Sequence, residues 1–439
     1  MFTINKKYST YNKELILKTI NKTFESSYPD NYLKNKIIIK NNKIIINKTK
    51  IDIDKKIYLI GFGKVAPYIS NTLLKILGRK KISGGIIISS NIRKKYSNKN
   101  IQFLPATHPY PSSISMNSTS KLIKFLDKLK KDSNIISIVS GGGSSCLISP
   151  VKGVMLKDDI KLNDLLILKD IPIDQINIVR GFFSNVKYGK LAKKLYPNKI
   201  FNLIVSDDPK NVIKSVGSGA TVFNNSTKNN VIKILKKNKI LNKIPKRMSK
   251  YLNDLNSQNI IMKKNSVENI IFDNKSFLNN FAYIAKKNKI KKVVIYPKTL
   301  CDSIKISKKK FINFCLKFRK EKNVLLIFGA EMLINVRGKN SRGGRVQHFA
   351  AECVKELNQN FNDFIFASFS TDGHDYIKNV SGVMYNKSDV RRILKEPKIF
   401  KNHVKKFNSY KIFKESNSLL KLKSPTKNNV FDVLLLYIN

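Results

Sequence analysis

Ser140-Gly141-Gly142-Gly143-Ser144-Ser145 leaves the apolar run Ile135 to Val139 without a spacer, and this loop carries the clearest chemistry in the chain. Glycines let backbone N–H groups come close to an anion, and serines add hydroxyl donors, so the loop can surround negative charge from several sides. A tight glycine turn between a strand and the next element reads equally well from these residues alone. No Gly-x-x-x-x-Gly-Lys-Ser/Thr segment occurs, so this is not a P-loop. Upstream, Gly61-Phe62-Gly63-Lys64-Val65-Ala66 follows another apolar run and opens a helix, which fits the Gly-x-Gly-x-x-Gly/Ala dinucleotide fingerprint superficially. The next strand ends at Ser89-Ser90-Asn91 with no acidic residue to hold a ribose hydroxyl, which argues against NAD. Lys64 falls in the first helical turn, where a cation opposes the helix dipole unless an anion compensates.

Other residues could serve the same anion. In His108-Pro109-Tyr110-Pro111 two prolines fix φ and restrict their neighbours, giving a rigid extended segment that can hold His108 over a site or simply brace a loop. Asn177, Arg180 and Ser184 lie at i, i+3 and i+7 on one helix face, with a salt-bridged surface helix as the other reading. Ser206-Asp207-Asp208 ends a strand, where a carboxylate beside a transferred phosphate can hold Mg²⁺ or accept a hydroxyl proton, and Gly217-Ser218-Gly219 is a further anion-friendly turn. Glu331, Arg337, Arg342, Arg345, Asp372 and Asp375 add carboxylates and arginine forks, and such forks match phosphate and carboxylate geometry.

These positions need a scaffold. Short apolar runs at 57–60, 86–88, 135–139 and 201–205 alternate with helical periods near 64–77, 116–129 and 159–194, the rhythm of a βαβ sheet whose functional loops gather at strand carboxyl ends. Residues 224–265 are rich in Lys, Asn and Ser and read as a linker or crossover. The alternation resumes with helix 277–287, strand 293–296, helix 307–319 and strand 324–328. Met332 to Val336 then follows closely enough to suggest a hairpin, before helix 346–357 and strands 364–368 and 433–437. A length of 439 residues implies two domains, placed at 1–235 and 236–439. Four scattered cysteines without a Cys-x-x-Cys pair exclude a disulfide framework, and no apolar segment suits a signal or a membrane span, so a cytoplasmic protein is expected. The 84 Lys+Arg against 29 Asp+Glu give +55, but lysine is interleaved with Asn and Ile along the whole chain rather than clustered, which favours a solvated basic surface over a nucleic-acid site.

Taken in order, the motifs resemble the glycerate 2-kinases of the MOFRL family. Gly61-Phe62-Gly63-Lys64 resembles the family's Gly-x-Gly-Lys-Ala, His108-Pro109-Tyr110-Pro111 its His-Pro-x-Pro, and Ser140 to Ser145 its Ser-Gly-Gly-Gly-Ser-Ala. Asn177-Ile178-Val179-Arg180 with Ser184, Lys187 and Gly189 is similar to its Asn-x-Val-Arg helix. Ser218-Gly219-Ala220-Thr221, Gly343-Gly344-Arg345-Val346-Gln347, Thr371-Asp372-Gly373 and Pro425-Thr426 through Asp432 complete the series. The resemblance implies an α/β fold with a Rossmann-like N-terminal parallel sheet and a C-terminal mixed-sheet domain, the MOFRL region lying at about 323–435. It further implies ATP-dependent, Mg²⁺-assisted phosphorylation of D-glycerate at the 2-hydroxyl in an interdomain cleft. Lys64, Asp207 and Arg345 are the expected catalytic residues, with Asp207 as the metal ligand. His108, Gly141, Gly142, Gly143, Ser144, Arg180, Ser218, Glu331, Arg337 and Asp372 are the expected substrate and phosphate contacts. The partner implied is glycerate or a related hydroxy acid, with no specific nucleic acid and no membrane, and a homodimer is the assembly this reading allows.

The chain departs from the family pattern at several polar positions. Ser112 stands for Asp, Phe182 for His, Val346 for Asn, His348 for Glu, Asn379 for Asp, and Lys427-Asn428 for Gly-Thr, while the second carboxylate pair after Asp207-Asp208 is lost. These substitutions keep a non-catalytic metabolite-binding relative in play. A hydroxypyruvate reductase would need NAD(P)H, against the missing acidic residue after Ile88.

Overall fold

Ile57-Tyr58-Leu59-Ile60-Gly61-Phe62 is apolar throughout, the pattern of a strand covered on both faces, and in the computed structural model of the chain all six residues are buried. The structure describes residues 1–439 apart from 93–98, 170, 209–210, 225–226, 255–263, 335, 337–340 and 425. Two units emerge, Pro29–Phe272 and a second formed by Met1–Tyr28 with Asp273–Asn439. The strands in chain order are β1 (Phe2–Thr3), β2 (Ile37–Lys40), β3 (Lys43–Ile46), β4 (Thr49–Asp52), β5 (Ile57–Phe62), β6 (Ile82–Ser89), β7 (Ile101–Pro105), β8 (Asn134–Ser140), β9 (Lys199–Val205) and β10 (Ser266–Phe272). They continue as β11 (Lys292–Ile295), β12 (Val324–Ala330), β13 (Phe364–Ser370), β14 (Val380–Asn386), β15 (Leu419–Leu422) and β16 (Asp432–Ile438).

The Pro29–Phe272 unit holds a six-stranded sheet in the order β7-β6-β5-β8-β9-β10, parallel throughout. The chain builds outward from β5 to β7, returns, and builds the other way from β8 to β10. Its direction reverses between β5 and β8, and in open α/β sheets ligands bind at the strand carboxyl ends beside such a switch point. Helix Ala66–Leu77 packs on β5, β6 and β8, and helix Ser113–Asp127 on β6 and β7. A core of Ile60, Phe62, Ile88, Leu122, Val139 and Ile204 lies on the sheet face covered by the helix Ser113–Asp127. Each such apolar side chain contributes roughly 1.5–3 kcal/mol when fully buried.

The domain boundary expected at 235/236 falls inside this unit. The sheet is not complete until β10, and the described parts of the expected linker at 224–265 are largely helical, residues 225–226 and 255–263 lying outside the described residues. Helix Lys228–Lys237, capped by Thr227 on Asn230 N, and helix Lys246–Asp254 bury Val231, Leu235, Met248 and Leu252. Their lysine-rich outer faces masked that apolar stripe in the sequence. The segment expected to be helical over 159–194 is three helices, Leu156–Leu168, Ile173–Phe182 and Lys190–Leu195, and β2, β3 and β4 form a small antiparallel sheet that the sequence reading did not anticipate.

The other unit has a mixed seven-stranded sheet, β1-β15-β14-β13-β16-β12-β11, in which only β11 and β12 run parallel. Among the described residues, the hairpin expected at Met332 does not form. Both edges of β12 are already occupied by β11 and β16, so Leu333 makes only a single bridge to Ser303. Phe311 anchors the core, 4.7 Å from Phe328 and 5.5 Å from Phe349 between ring centroids. Among the described residues no helix is long and apolar enough to cross a membrane.

Candidate active site

The turn after β5 and the loop after β8 meet at the switch point. Lys64 N donates to Gly141 O at 2.8 Å, and Val65 N to Ser140 Oγ at 3.3 Å. Gly63, at φ 114°, allows this approach, because a Cβ there would fall 2.4 Å from both Ser140 O and Ser140 Oγ. Gly142, at φ 80°, faces Lys64 and His108, its absent Cβ lying 3.1 Å from Lys64 Cγ and 3.5 Å from the His108 ring. His108 Nδ1 is in turn 3.1 Å from Ser145 Oγ, which donates to Gly142 O at 3.0 Å. The glycine loop, the lysine and the histidine thus form one constellation.

Ser144 ties this loop to the helix Ile173–Phe182 and to the turn around Ser218. Arg180 Nη1 donates to Ser144 Oγ at 3.0 Å, Lys187 Nζ donates to Ser144 O and, at 3.3 Å, to Ser144 Oγ, and Ser218 Oγ lies 2.8 Å from Ser144 Oγ and 3.1 Å from Asn177 Oδ1. Asp159 approaches Arg180 Nη2 at 3.9 Å. Asn177 Nδ2 and Arg180 Nε are buried without a hydrogen-bond partner. Unpaired buried donors are disfavoured unless an acceptor arrives, and two cations set against one carboxylate leave the loop electropositive. The residues present therefore fit an anion such as a carboxylate or phosphate.

Burial, with Arg180 next in effect, pulls Lys187 down to about 7, and burial pushes the Cys146 thiol up to about 11. Asp207 is half-buried just after β9, while Asp208 beside it is buried and accepts from Val212 N at 3.2 Å. Among the described residues no group of three or more His, Cys, Asp or Glu is arranged to hold a metal. A magnesium ion carried on a nucleotide needs only one or two protein carboxylates, because phosphate oxygens and water complete its shell.

In the other unit Arg345 opens the helix Arg345–Asn360 and is clasped by acids. Its Nη1 and Nη2 reach Glu331 at 2.6 and 2.7 Å, and its Nε donates to Asp432. Asp375 fills the space where a Gly344 Cβ would lie and accepts from Gln347 N at 2.9 Å, Gln347 Nε2 at 3.0 Å and Val346 N at 3.4 Å, so it caps this helix. Burial first, then Asp432, pushes the Asp375 carboxyl up to about 7. Asp372 accepts from Ser370 Oγ at 3.0 Å and from His374 N at 3.1 Å.

Of the residues singled out in sequence, Lys64, His108, Gly141, Gly142, Gly143, Ser144, Arg180 and Ser218 come together in the Pro29–Phe272 unit. Asp207 follows β9 of the same sheet. Glu331 and Arg345 pair in the other unit, where Asp372 lies near Asp432, and Arg337 lies outside the described residues. The helix carrying Asn177 and Arg180 turns that face inward, with both residues buried, rather than lying on the surface. Lys187, Asp159 and Asp432 were missed as site residues, and Asp375 was named as a carboxylate but not as the cap of this helix. Lys187 was camouflaged by the abundance of lysine, although its place in the helix motif was a usable signal.

A family model described as "Domain of unknown function (DUF4147)" matches residues 15–253, and one described as "MOFRL family" matches residues 324–432. The chain is 26% identical to a D-glycerate 2-kinase of Thermotoga maritima, covering 96% of this chain and 97% of that one. It is 26% identical to a glycerate 2-kinase of Picrophilus torridus, covering 98% and 97%. A crystal structure of a glycerate kinase from Thermotoga maritima superposes with a TM-score of 0.80 at 23% identity, over 98% of this chain and 99% of that one, and so shares its fold. With both family models matched in order and glycerate 2-kinases alike over nearly its full length, the chain belongs to the glycerate 2-kinase family that carries the MOFRL region.

Proposed function

We propose that this protein transfers the γ-phosphoryl group of ATP to the 2-hydroxyl of D-glycerate, with the anion seated on the loops at the β5/β8 switch point. The observation that carries this reading is the convergence of Lys64, Arg180 and Lys187 on the Gly141-to-Ser144 loop, in a chain whose relatives bear the name glycerate 2-kinase. The 2-hydroxyl oxygen attacks the γ-phosphorus, the bond to ADP breaks with its electron pair leaving on ADP, and the hydroxyl proton passes late to water, as a loose transition state allows. Lys64 neutralises charge on the transferred phosphate or the glycerate carboxylate. Preorganised charge of this kind is the main lever in phosphoryl transfer. Asp207 would hold the magnesium ion, which would further neutralise phosphate charge when bound. Arg337 and Arg345 are assigned to phosphoryl oxygens.

Purified protein supplied with D-glycerate and MgATP should release ADP only when both substrates are present, and Lys64→Ala should abolish that release. Folded protein without glycerate-dependent ADP release would sink the reading.

A second reading has one specific observation in its favour. Arg345 is already paired with Glu331 and Asp432, and Asp375 occupies the helix N-terminus, so this chain's own carboxylates fill those donors. A non-catalytic relative would then bind glycerate and gain thermal stability through mass action without turning it over. The same preparation distinguishes the two by melting and ADP release together.

A further inference from the structure

The Ser144 hub contains a cation, Lys187, to which the proposed reaction assigns no step of its own. Lys187 is 1% exposed, and its ammonium reaches the loop from beneath, donating to both the carbonyl and the hydroxyl oxygen of Ser144. Arg180, itself 9% exposed, donates to the same hydroxyl from the neighbouring helix. Two cations held behind one glycine loop repel each other, and a buried ammonium is stable only beside compensating negative charge. Asp159 compensates part of Arg180, at 3.9 Å. Cys146, on the loop's own short helix, stays a neutral thiol, since burial holds it at about 11. Lys64, facing Gly142, adds a further cation. Among the described residues, Arg180 opposes the charge on Lys187, while Asp159 and, more weakly, Cys146 favour it. Arg180 Nε and Asn177 Nδ2 remain buried without acceptors, a second sign that this cluster lacks negative charge.

We propose that Lys187 is a proton-linked positioning residue, which takes up a proton when an anion binds at the Gly142–Ser144 loop and so couples substrate affinity to pH. The inference rests on the reading that this loop seats an anion. Lys187 is half-charged near pH 7, because burial and Arg180 pull it down to about 7. A bound anion favours the ammonium form and raises that value. By reciprocity, protonation must then strengthen anion binding. Affinity is therefore constant below pH 7 and weakens above it, by up to about tenfold per pH unit for one linked proton.

Sulfate and D-glycerate are suitable probes because neither titrates between pH 6.5 and 9. Calorimetric titration of the full chain at pH 8, in two buffers of different ionisation enthalpy, should register uptake of roughly 0.5–0.9 proton per anion bound. The dissociation constant should rise between pH 7 and 9. Lys187→Arg, which keeps its charge, should bind without uptake and with a flat profile, and Lys187→Met should bind more weakly, also without uptake. Binding by the wild type with no proton uptake, or uptake that persists in both variants, overturns the proposal. So does the absence of any sulfate or D-glycerate binding by folded protein. If the variants fail to fold, the wild-type uptake and pH profile still decide. Sulfate binding with proton uptake but no glycerate-dependent ADP release keeps this proposal and removes the kinase reading. Turnover with proton-independent binding does the reverse.

Discussion

Two glycines offer a controlled test of the switch-point loop. Gly142 has φ 80° and Gly153 φ 84°, so alanine at either position forces an L residue into nearly the same left-handed conformation. That strain costs roughly 1–2 kcal/mol. For a unit of 150–250 residues it corresponds to a fall in Tm of about 2–8 °C. The surroundings differ. A Cβ at Gly153 meets nothing within 4 Å, whereas one at Gly142 lies 3.1 Å from Lys64 Cγ and 3.5 Å from the His108 ring. Nine in ten real Cβ contacts are longer than 3.4 Å, so Lys64 must retreat by a few tenths of an ångström. Misplacement by about 1 Å can lower a rate 10²-fold, and a shift of this size should lower kcat/KM by about three- to thirtyfold. Gly142→Ala and Gly153→Ala should therefore lose similar stability in thermal melts while only Gly142→Ala loses glycerate-dependent ADP release. Equal activity in the two variants, with matched melting curves, would refute the claim that Gly142 faces the reacting groups.

Other perturbations probe the charge clusters. Arg345→Met leaves Asp432, which is 1% exposed, without its cation; it should destabilise the Asp273–Asn439 part by about 3 kcal/mol, read by denaturant unfolding, and an unchanged midpoint would contradict the clasp. Asp375 is held up at about 7, above its unfolded value of 3.8, so the fold binds its proton more tightly. Its contribution to stability is therefore full below pH 4 and is lost as pH rises to 7, a slope that Asp375→Asn should flatten in melts at pH 4.5 to 7.5. Lys187 has the opposite sign, because its folded value of about 7 lies below the ordinary 10.5. The unfolded chain binds more protons between those values, so the Pro29–Phe272 unit should gain stability from pH 7 to 10, and Lys187→Met should remove the gain.

The strands that frame the loops were legible because Ile57-Tyr58-Leu59-Ile60 and Ile135-Ile136-Ser137-Ile138-Val139 are near-continuous apolar runs, which parallel strands buried on both faces require. The loop itself was legible because glycines next to such a run mark close backbone approach. The crossover after residue 224 was not fixed, since Lys228, Lys233, Lys236 and Lys237 surround Val231 and Leu235 and dilute the apolar period. The N-terminal residues gave no sign that Phe2 pairs with Leu422, because register across 420 residues leaves no local pattern. Lys187 was hidden for a related reason: among 84 Lys and Arg residues, composition does not mark Lys13 and Lys187 as buried lysines, and only the helix motif pointed to Lys187. Asp375 was legible as a carboxylate but not as a cap, since a helix cap supplied 28 residues downstream lies outside any capping box.

The most direct test of the central claim is a product-resolved reaction. Folded protein incubated with D-glycerate and MgATP, followed by ³¹P NMR, should yield ADP and 2-phosphoglycerate in equal amounts. A spectrum that keeps only ATP resonances, with folding confirmed on the same sample, would contradict the account.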